Sequence, residues 1–284
     1  MPLVKVNELL QDATQNHYGV PAVNCINVET ARYTVEAAEQ EHMPVIVQFW
    51  PGFKDYVPLR SIAGAARYFA ENASVPVAVH QDHSWTYQIA VEGIRDGFPS
   101  VMVDGSSLPY EQNVALVKSV VDVADVFGVD IEAELGHVGN GSNAEDFATS
   151  DFYTKPELAA EFVERTGCGS LAIAVGNAHG PYVKVPHLDF ERIQQCREAV
   201  GVPLVMHGCS DIPPEQLQRA VNLGMSKFNI ATEYFRALYR SLEKDIKSGE
   251  HDGDGVKLLL GVGDDCRAFV REKIQMLNPN HYSM

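Results

Sequence analysis

Three short stretches carry histidines in positions that could share one centre. VHQDH closes an apolar run with His80, Gln81, Asp82 and His83, GNAHG carries His179, and HGCS carries His207. His83, His179 and His207 lie far apart in sequence. If each follows a parallel strand of one closed sheet, they converge on a single mouth. Three neutral imidazoles with one position left open form the ligand set of a catalytic zinc ion, whereas a structural zinc site would be local and Cys-rich. A lone His near a strand end is ordinarily a hydrogen-bonded core or surface residue. Three at strand C-termini, two of them in His-Gly pairs, favour metal ligation. His80, still inside its strand, reads as a packed supporting group.

Carboxylates accompany the histidines. Asp82 adjoins His83, and strand alternation should send the two side chains to opposite faces. Two readings of Asp82 stand open. It could transfer a proton beside a Lewis acid, or orient a ligating imidazole. Asp104 in VMVDGSS and Glu134 in IEAELG close two further apolar runs. Buried carboxylates need partners, so each is either an anchor for a ligand or part of a second cation site. HGCS and NIATE add Gly-rich corners: Gly208 permits close backbone approach, while Ser210 and Thr232 offer hydroxyls. Barrel enzymes frequently hold phosphate at the last two strand ends with backbone N–H groups and a helix N-terminus. Cys209 is most simply a small buried residue.

The elements that must position these groups alternate along the chain. Candidate strands cover 19–27, 44–50, 76–83, 100–105, 130–136, 170–176, 203–208 and 227–232, with amphipathic segments between them, several ending in Gly. Strand followed by helix, eight times, predicts an α/β fold, a (β/α)8 TIM barrel, as a single domain over 1–284. An extra helix is expected before the first strand, and another over 261–277 after the Gly- and Asp-rich SGEHDGDG. A doubly wound open sheet is disfavoured by the eight regular units and by the lack of GxGxxG after the first strand. The loops 137–155 and 177–187 exceed what a βα turn needs. Both fall at the C-terminal face, where long loops often act as lids.

Composition narrows the partners. The formal net charge of -16 argues against nucleic-acid backbones and anionic membrane surfaces. An anionic substrate would need a local positive site made from backbone N–H groups, a metal ion or a few Lys and Arg. The five cysteines are scattered without CxxC spacing, which fits a reducing compartment. With no apolar leader or bilayer-length apolar run, the expected location is cytoplasmic.

Together these motifs resemble the class II, metal-dependent aldolases, which include the fructose-bisphosphate and tagatose-bisphosphate enzymes. VHQDH, VMVDGS, IEAELG, GNAHG, HGCS and KFNIATE carry the resemblance, which spans about residues 3 to 277. It implies a catalytic Zn2+ on His83, His179 and His207, and Asp82 as the group exchanging a proton with the aldehyde oxygen. Asp104 and Glu134 match positions that hold a second divalent metal or monovalent cation. Gly180, Gly208, Cys209, Ser210, Asn229, Ile230, Ala231 and Thr232 match the surroundings of dihydroxyacetone phosphate. The implied reaction is reversible cleavage of a ketose phosphate or bisphosphate through a zinc-stabilised enediolate, by a homodimer or homotetramer. Trp50 stands where many members have a small hydroxyl residue, and Ala231 where fructose-bisphosphate enzymes usually have Asp. Glu145 is the candidate mobile base, although the acids of its loop are set later than usual. No cluster of Lys and Arg for a second phosphate is obvious; Lys184, Arg267 and Arg271 are the candidates, and each reads more simply as a surface charge. A zinc-dependent barrel hydrolase and a non-catalytic phosphosugar-binding barrel are the alternative readings.

Overall fold

The computed structural model describes residues 2–143, 152–249, 251 and 253–284. All eight expected strands are present. They are β1 (Val20–Asn24), β2 (Val45–Phe49), β3 (Val77–Ser84), β4 (Ser100–Val103), β5 (Asp130–Leu135), β6 (Ser170–Ile173), β7 (Leu204–Met206) and β8 (Met225–Ile230). They pair in chain order, and β8 pairs back to β1 through Val20↔Lys227 to Val23↔Ile230, closing an all-parallel barrel. Helices cover the outside, so the strands are buried on both faces. This is why they read as nearly continuous apolar runs.

The helices are α1 (Val6–Asn16), α2 (Val28–Glu41), α3 (Leu59–Asn72), α4 (Tyr87–Asp96), α5 (Tyr110–Phe127), α6 (Pro156–Thr166), α7 (Phe190–Ala199), α8 (Pro214–Asn222), α9 (Thr232–Ser248) and α10 (Gly255–Met276). Their limits follow local chemistry. Asn27 and Thr30 form a capping box at the start of α2, and Gly97 and Gly128 end α4 and α5 in the left-handed conformation. The final helix begins six residues before the expected 261, because the Asp254 side chain accepts from the N–H groups of Val256 and Lys257. Among the described residues no helix is long and apolar enough to cross a membrane. All five cysteines are buried and free.

Two departures from the expected strands shape the mouth. First, β6 ends at Ile173 rather than at 176, so His179 lies beyond it on a separate two-residue strand. Ala178–His179 pairs in parallel with Gly139–Asn140, tying the loop after β6 to the loop after β5. Second, β3 does not keep its alternation. Gln81 pairs with Val101, but the next pair is Ser84 with Val103, which leaves an extra residue on β3. This bulge, with His83 at φ 25°, turns both Asp82 and His83 toward the mouth. The expectation that alternation would separate them is thereby corrected.

The barrel interior carries a polar layer below the mouth. Lys227 on β8 forms a salt bridge with Glu132 Oε2 on β5 at 2.8 Å, with both side chains fully buried. The other carboxylate oxygen of Glu132 lies 2.9 Å from His207 Nε2. His80 Nδ1 meets Ser100 Oγ at 2.8 Å, so His80 is the supporting group its position suggested. Removing one partner of a buried ion pair leaves an uncompensated charge. Lys227→Met should therefore lower the unfolding free energy by about 3–5 kcal/mol in urea titration. The double variant Lys227→Met/Glu132→Gln should lose clearly less. Equal losses would contradict the pairing.

Candidate functional site

Three imidazoles meet at the C-terminal mouth. His83 comes from the β3 bulge, His179 from the two-residue strand, and His207 from the position directly after β7. His83 Nε2 lies 3.2 Å from His179 Nε2 and 2.9 Å from His207 Nδ1, and the last two nitrogens are 3.3 Å apart. Each ring is also held from behind or beside. His83 Nδ1 faces Asp104 Oδ2 at 2.9 Å, and His207 Nε2 faces Glu132. His179 gains a backbone hydrogen bond at Val138. Acceptors on the remote ring nitrogens fix tautomer and orientation, as they do for metal-bound histidines.

The donor set fits a divalent ion. Ligand nitrogens about 2.0–2.1 Å from a tetrahedral zinc stand about 3.3 Å from one another, close to the spacing of these rings. Glu134 Oε2 supplies a second observation: it is buried, has no hydrogen-bond partner among the described residues, and lies 3.9 Å from His207 Nδ1. His83, Asp104 and Glu134 also offer ligand atoms within 4.8 Å of one another.

Protonation without a cation is uneven. Burial opposes the charged form of His83, but Asp82, Asp104 and Glu134 outweigh it and raise its pKa to about 9. Burial, then the charge on His83, lowers His179 to about 4 and drives His207 well below the ordinary range. Burial, reinforced by Asp104, raises Glu134. Burial also opposes ionisation of Asp82, yet the neighbouring His83 and His207 lower its pKa overall. Asp82 is gripped on both oxygens: Asn24 Nδ2 donates to Oδ2 at 2.8 Å and Asn229 Nδ2 to Oδ1 at 3.2 Å. Gln48 Nε2 in turn donates to Asn24 Oδ1. The carboxylate is thus held 3.8 Å from His83 Nε2.

A cavity of about 460 Å³ opens above this centre. Of the residues expected from sequence, its lining includes Trp50, Asp82, His83, Asp104, Glu134, His179, Gly180, Gly208, Ser210, Asn229, Ala231 and Thr232. Gly208 has φ 62°, and a Cβ there would overlap the carbonyl oxygen of Ala178. Ser210 Oγ accepts from Glu233 N at 3.2 Å, which sets the hydroxyl at the first turn of α9. Free N–H groups at such a helix start favour an anion.

Other expected residues are placed elsewhere. Cys209 is buried with Sγ donating to Met206 O at 3.1 Å, and Ile230 is buried behind the lining. Lys184 is exposed and outside the cavity. Arg267 and Arg271 pair with Glu36 and Glu41 of α2 on the outer surface. None of these side chains lines the cavity: Cys209 is the small buried residue its type suggested, and Arg267 and Arg271 are surface charges in ion pairs. Glu145 lies outside the described residues.

The sequence reading missed Asn24, Phe53, Trp85, Ser106, His137 and Phe235, all of which line the cavity. A polar Asn closing the otherwise apolar β1 and a Trp two residues past His83 were the available signals. It also missed the braces behind the rim. Tyr182 Oη donates to Gly208 O at 3.0 Å and Asn177 Nδ2 to His207 O at 3.0 Å, locking the β6 loop to the β7 end.

Comparison with known proteins agrees with this geometry. The family described as "Fructose-bisphosphate aldolase class-II" matches residues 4–281. The Escherichia coli K12 protein YdjI, described as uncharacterized, is 42% identical over 226 residues, covering 80% of this chain and 81% of its own. The crystal structure described as the YdjI aldolase from Escherichia coli K12 superposes with a TM-score of 0.88 at 34% identity, covering 99% of this chain and 100% of that one. A putative fructose-1,6-bisphosphate aldolase from Coccidioides immitis gives a TM-score of 0.84 at 30% identity, with 96% of each chain covered.

The uneven protonation yields a measurable linkage. A zinc ion taken by the three imidazoles must displace the proton of His83, whose pKa is raised to about 9. Zinc affinity should therefore rise by up to about tenfold per pH unit between pH 6.5 and 8.5. Calorimetry in buffers of different ionisation enthalpy should show at least one proton released per zinc at pH 7.5. An affinity that stays flat over this range would show that zinc binding displaces no proton from His83.

Proposed function

The chain belongs to the class II fructose-bisphosphate aldolase family, and we propose that it reversibly cleaves a ketose phosphate into dihydroxyacetone phosphate and an aldehyde. The observation that carries this reading is the meeting, at one cavity, of His83 and His179 in its lining with the buried His207 against them, the doubly held Asp82 carboxylate and the Gly208–Ser210 corner at the start of α9. His83, His179 and His207 would hold zinc, which supplies charge stabilisation to the substrate carbonyl and hydroxyl oxygens as the bond between carbons breaks. Asp104 and Glu134 would hold a second cation.

In cleavage, the Asp82 carboxylate takes the proton of the C4 hydroxyl. The C3–C4 electron pair moves between C3 and C2, and the displaced C2 carbonyl pair becomes the negative charge of an enediolate. C4 departs as the aldehyde carbon. A proton then adds to C3 and gives dihydroxyacetone phosphate. Glu145, by sequence, is the candidate for that proton. Condensation runs these steps in reverse. The hydrogen bonds from Asn24 and Asn229 keep Asp82 ionised and aimed, so no reorganisation is needed before proton transfer. Backbone N–H groups near Gly208 and the α9 start, with the Ser210 hydroxyl, would hold the phosphate, and its binding energy orients the reacting bond.

The test is release of dihydroxyacetone phosphate from a panel of ketose mono- and bisphosphates by metal-stripped and zinc-restored protein. Cleavage should vanish on stripping and return with zinc. Asp82→Asn should lower kcat by about 10²–10⁴ while still binding zinc. Absence of release from every panel member by zinc-loaded protein would refute the aldolase reading. Full activity in Asp82→Asn would remove Asp82 from the proton transfer.

A further inference from the structure

The chain has two tryptophans, Trp50 and Trp85, and both line the cavity mouth. Trp50 follows β2 and Trp85 follows β3, with ring centroids 6.2 Å apart. Phe53, at the end of the 3-10 turn Pro51–Phe53, meets Trp50 edge-on at 5.1 Å. Phe235 on α9 meets Phe53 at 6.0 Å. The four rings make one continuous apolar wall. Gly52 fixes its middle, because a Cβ there would overlap the Trp50 ring. The indole therefore lies directly over the backbone of its own turn. Yet Trp50 and Trp85 keep 37% and 46% of their surface exposed. Aromatic faces held in place but left open beside a polar centre suit the C–H face of a bound polyhydroxylated carbon chain.

The charges point the same way. Among the described residues, no Lys or Arg lines the cavity, and residues 144–151 contain none in sequence. Arg236 on α9 is bound to both oxygens of Asp211, at 2.8 and 2.7 Å. The acidic side chains of the lining are Asp82, Asp104 and Glu134. The α9 start can serve one phosphate through N–H groups. A second phosphate against the aromatic wall would lose water and gain no cation.

We propose that the wall selects a ketose 1-phosphate whose far end is uncharged, with Trp50 and Trp85 as the residues that determine specificity for the aldehyde half. This rests on the aldolase reading above.

Three measurements on the full-length, zinc-loaded protein test the proposal. Exchange of the hydroxymethyl proton of dihydroxyacetone phosphate with D2O, followed by NMR, reports the aldolase chemistry with no aldehyde present. Condensation is then compared for glyceraldehyde and glyceraldehyde 3-phosphate. The unphosphorylated acceptor should have a kcat/KM at least about tenfold higher. Trp50→Ala, Trp85→Ala and Gly52→Ala should each shrink that ratio at least threefold through the aldehyde KM, and Trp50→Phe should restore most of it. Finally, glyceraldehyde should change tryptophan emission of the protein saturated with dihydroxyacetone phosphate more than glyceraldehyde 3-phosphate does at equal concentration. Exchange with preference for the phosphorylated aldehyde, or with a ratio unchanged in all three variants, overturns the inference alone. No exchange overturns the aldolase reading and the inference with it.

Discussion

An ammonium group sealed inside a barrel constrains everything around it. Lys227 has no exposed surface and one carboxylate, Glu132, to neutralise it. The desolvation cost of such a pair is recovered only with good geometry and with the remaining carboxylate lone pairs satisfied. Glu132 Oε1 meets His207 Nε2, while Lys227 Nζ and Glu132 Oε2 are paired by charge at 2.8 Å without a hydrogen bond among the described residues. A single chain of contacts thus crosses β8, β5 and β7, and its last member presents Nδ1 upward into the mouth. The register of three strands and the tautomer of one imidazole are set by the same charge. A slip of one residue in β5 would turn Glu132 out of the barrel and leave Lys227 unpaired.

The second constraint is local and strained. A regular β3 could deliver either Asp82 or His83 to the interior, because alternation forbids both. The bulge opposite Met102 and the positive φ of His83 bring both to one cavity. A non-Gly residue held in that conformation costs of order 1–3 kcal/mol and persists where its surroundings over-determine it. Here they do: Asp104 holds His83 Nδ1, while Asn24 and Asn229 hold Asp82. The strain places a carboxylate 3.8 Å from a ring nitrogen that closes on two others.

The periodic part of this arrangement was legible in the sequence. Eight apolar runs separated by amphipathic segments carry the barrel, since parallel strands buried on both faces leave that signature. His83, His179 and His207 were recognisable because they sit next to such runs. The non-periodic part was not. The bulge at Asp82 and His83 has no marker such as Gly or Pro, and it arises from contacts with β1, β4 and β8. The two-residue strand that carries His179 is too short for any pattern and depends on Gly139–Asn140, 39 residues upstream, through Gly139↔Ala178. Cys209 and Ile230 stood within motif stretches that do reach the cavity, yet strand alternation turns Ile230 into the core, and the turn after β7 buries Cys209 with its Sγ on Met206 O. Trp85, Phe53 and Phe235 join one wall only after three different elements have folded together.

The charge balance of the whole molecule gives the mouth its character. For a chain of net charge -16 to accept the phosphorylated sugar proposed above, positive potential must be concentrated at one place. Among the described residues no Lys or Arg lines the cavity. Backbone N–H groups at the start of α9 and a cation on the three imidazoles are the sources left. Both are fixed in position, and neither can swing toward a distant group as a long basic side chain could. On the proposed reading, anion recognition falls on the imidazole side of the cavity. The opposite side is left to aromatic surface, which contributes contact area and shape rather than charge. A site divided in this way recognises one end of its substrate by electrostatics and the other by fit, and the division follows from where the barrel ends its strands.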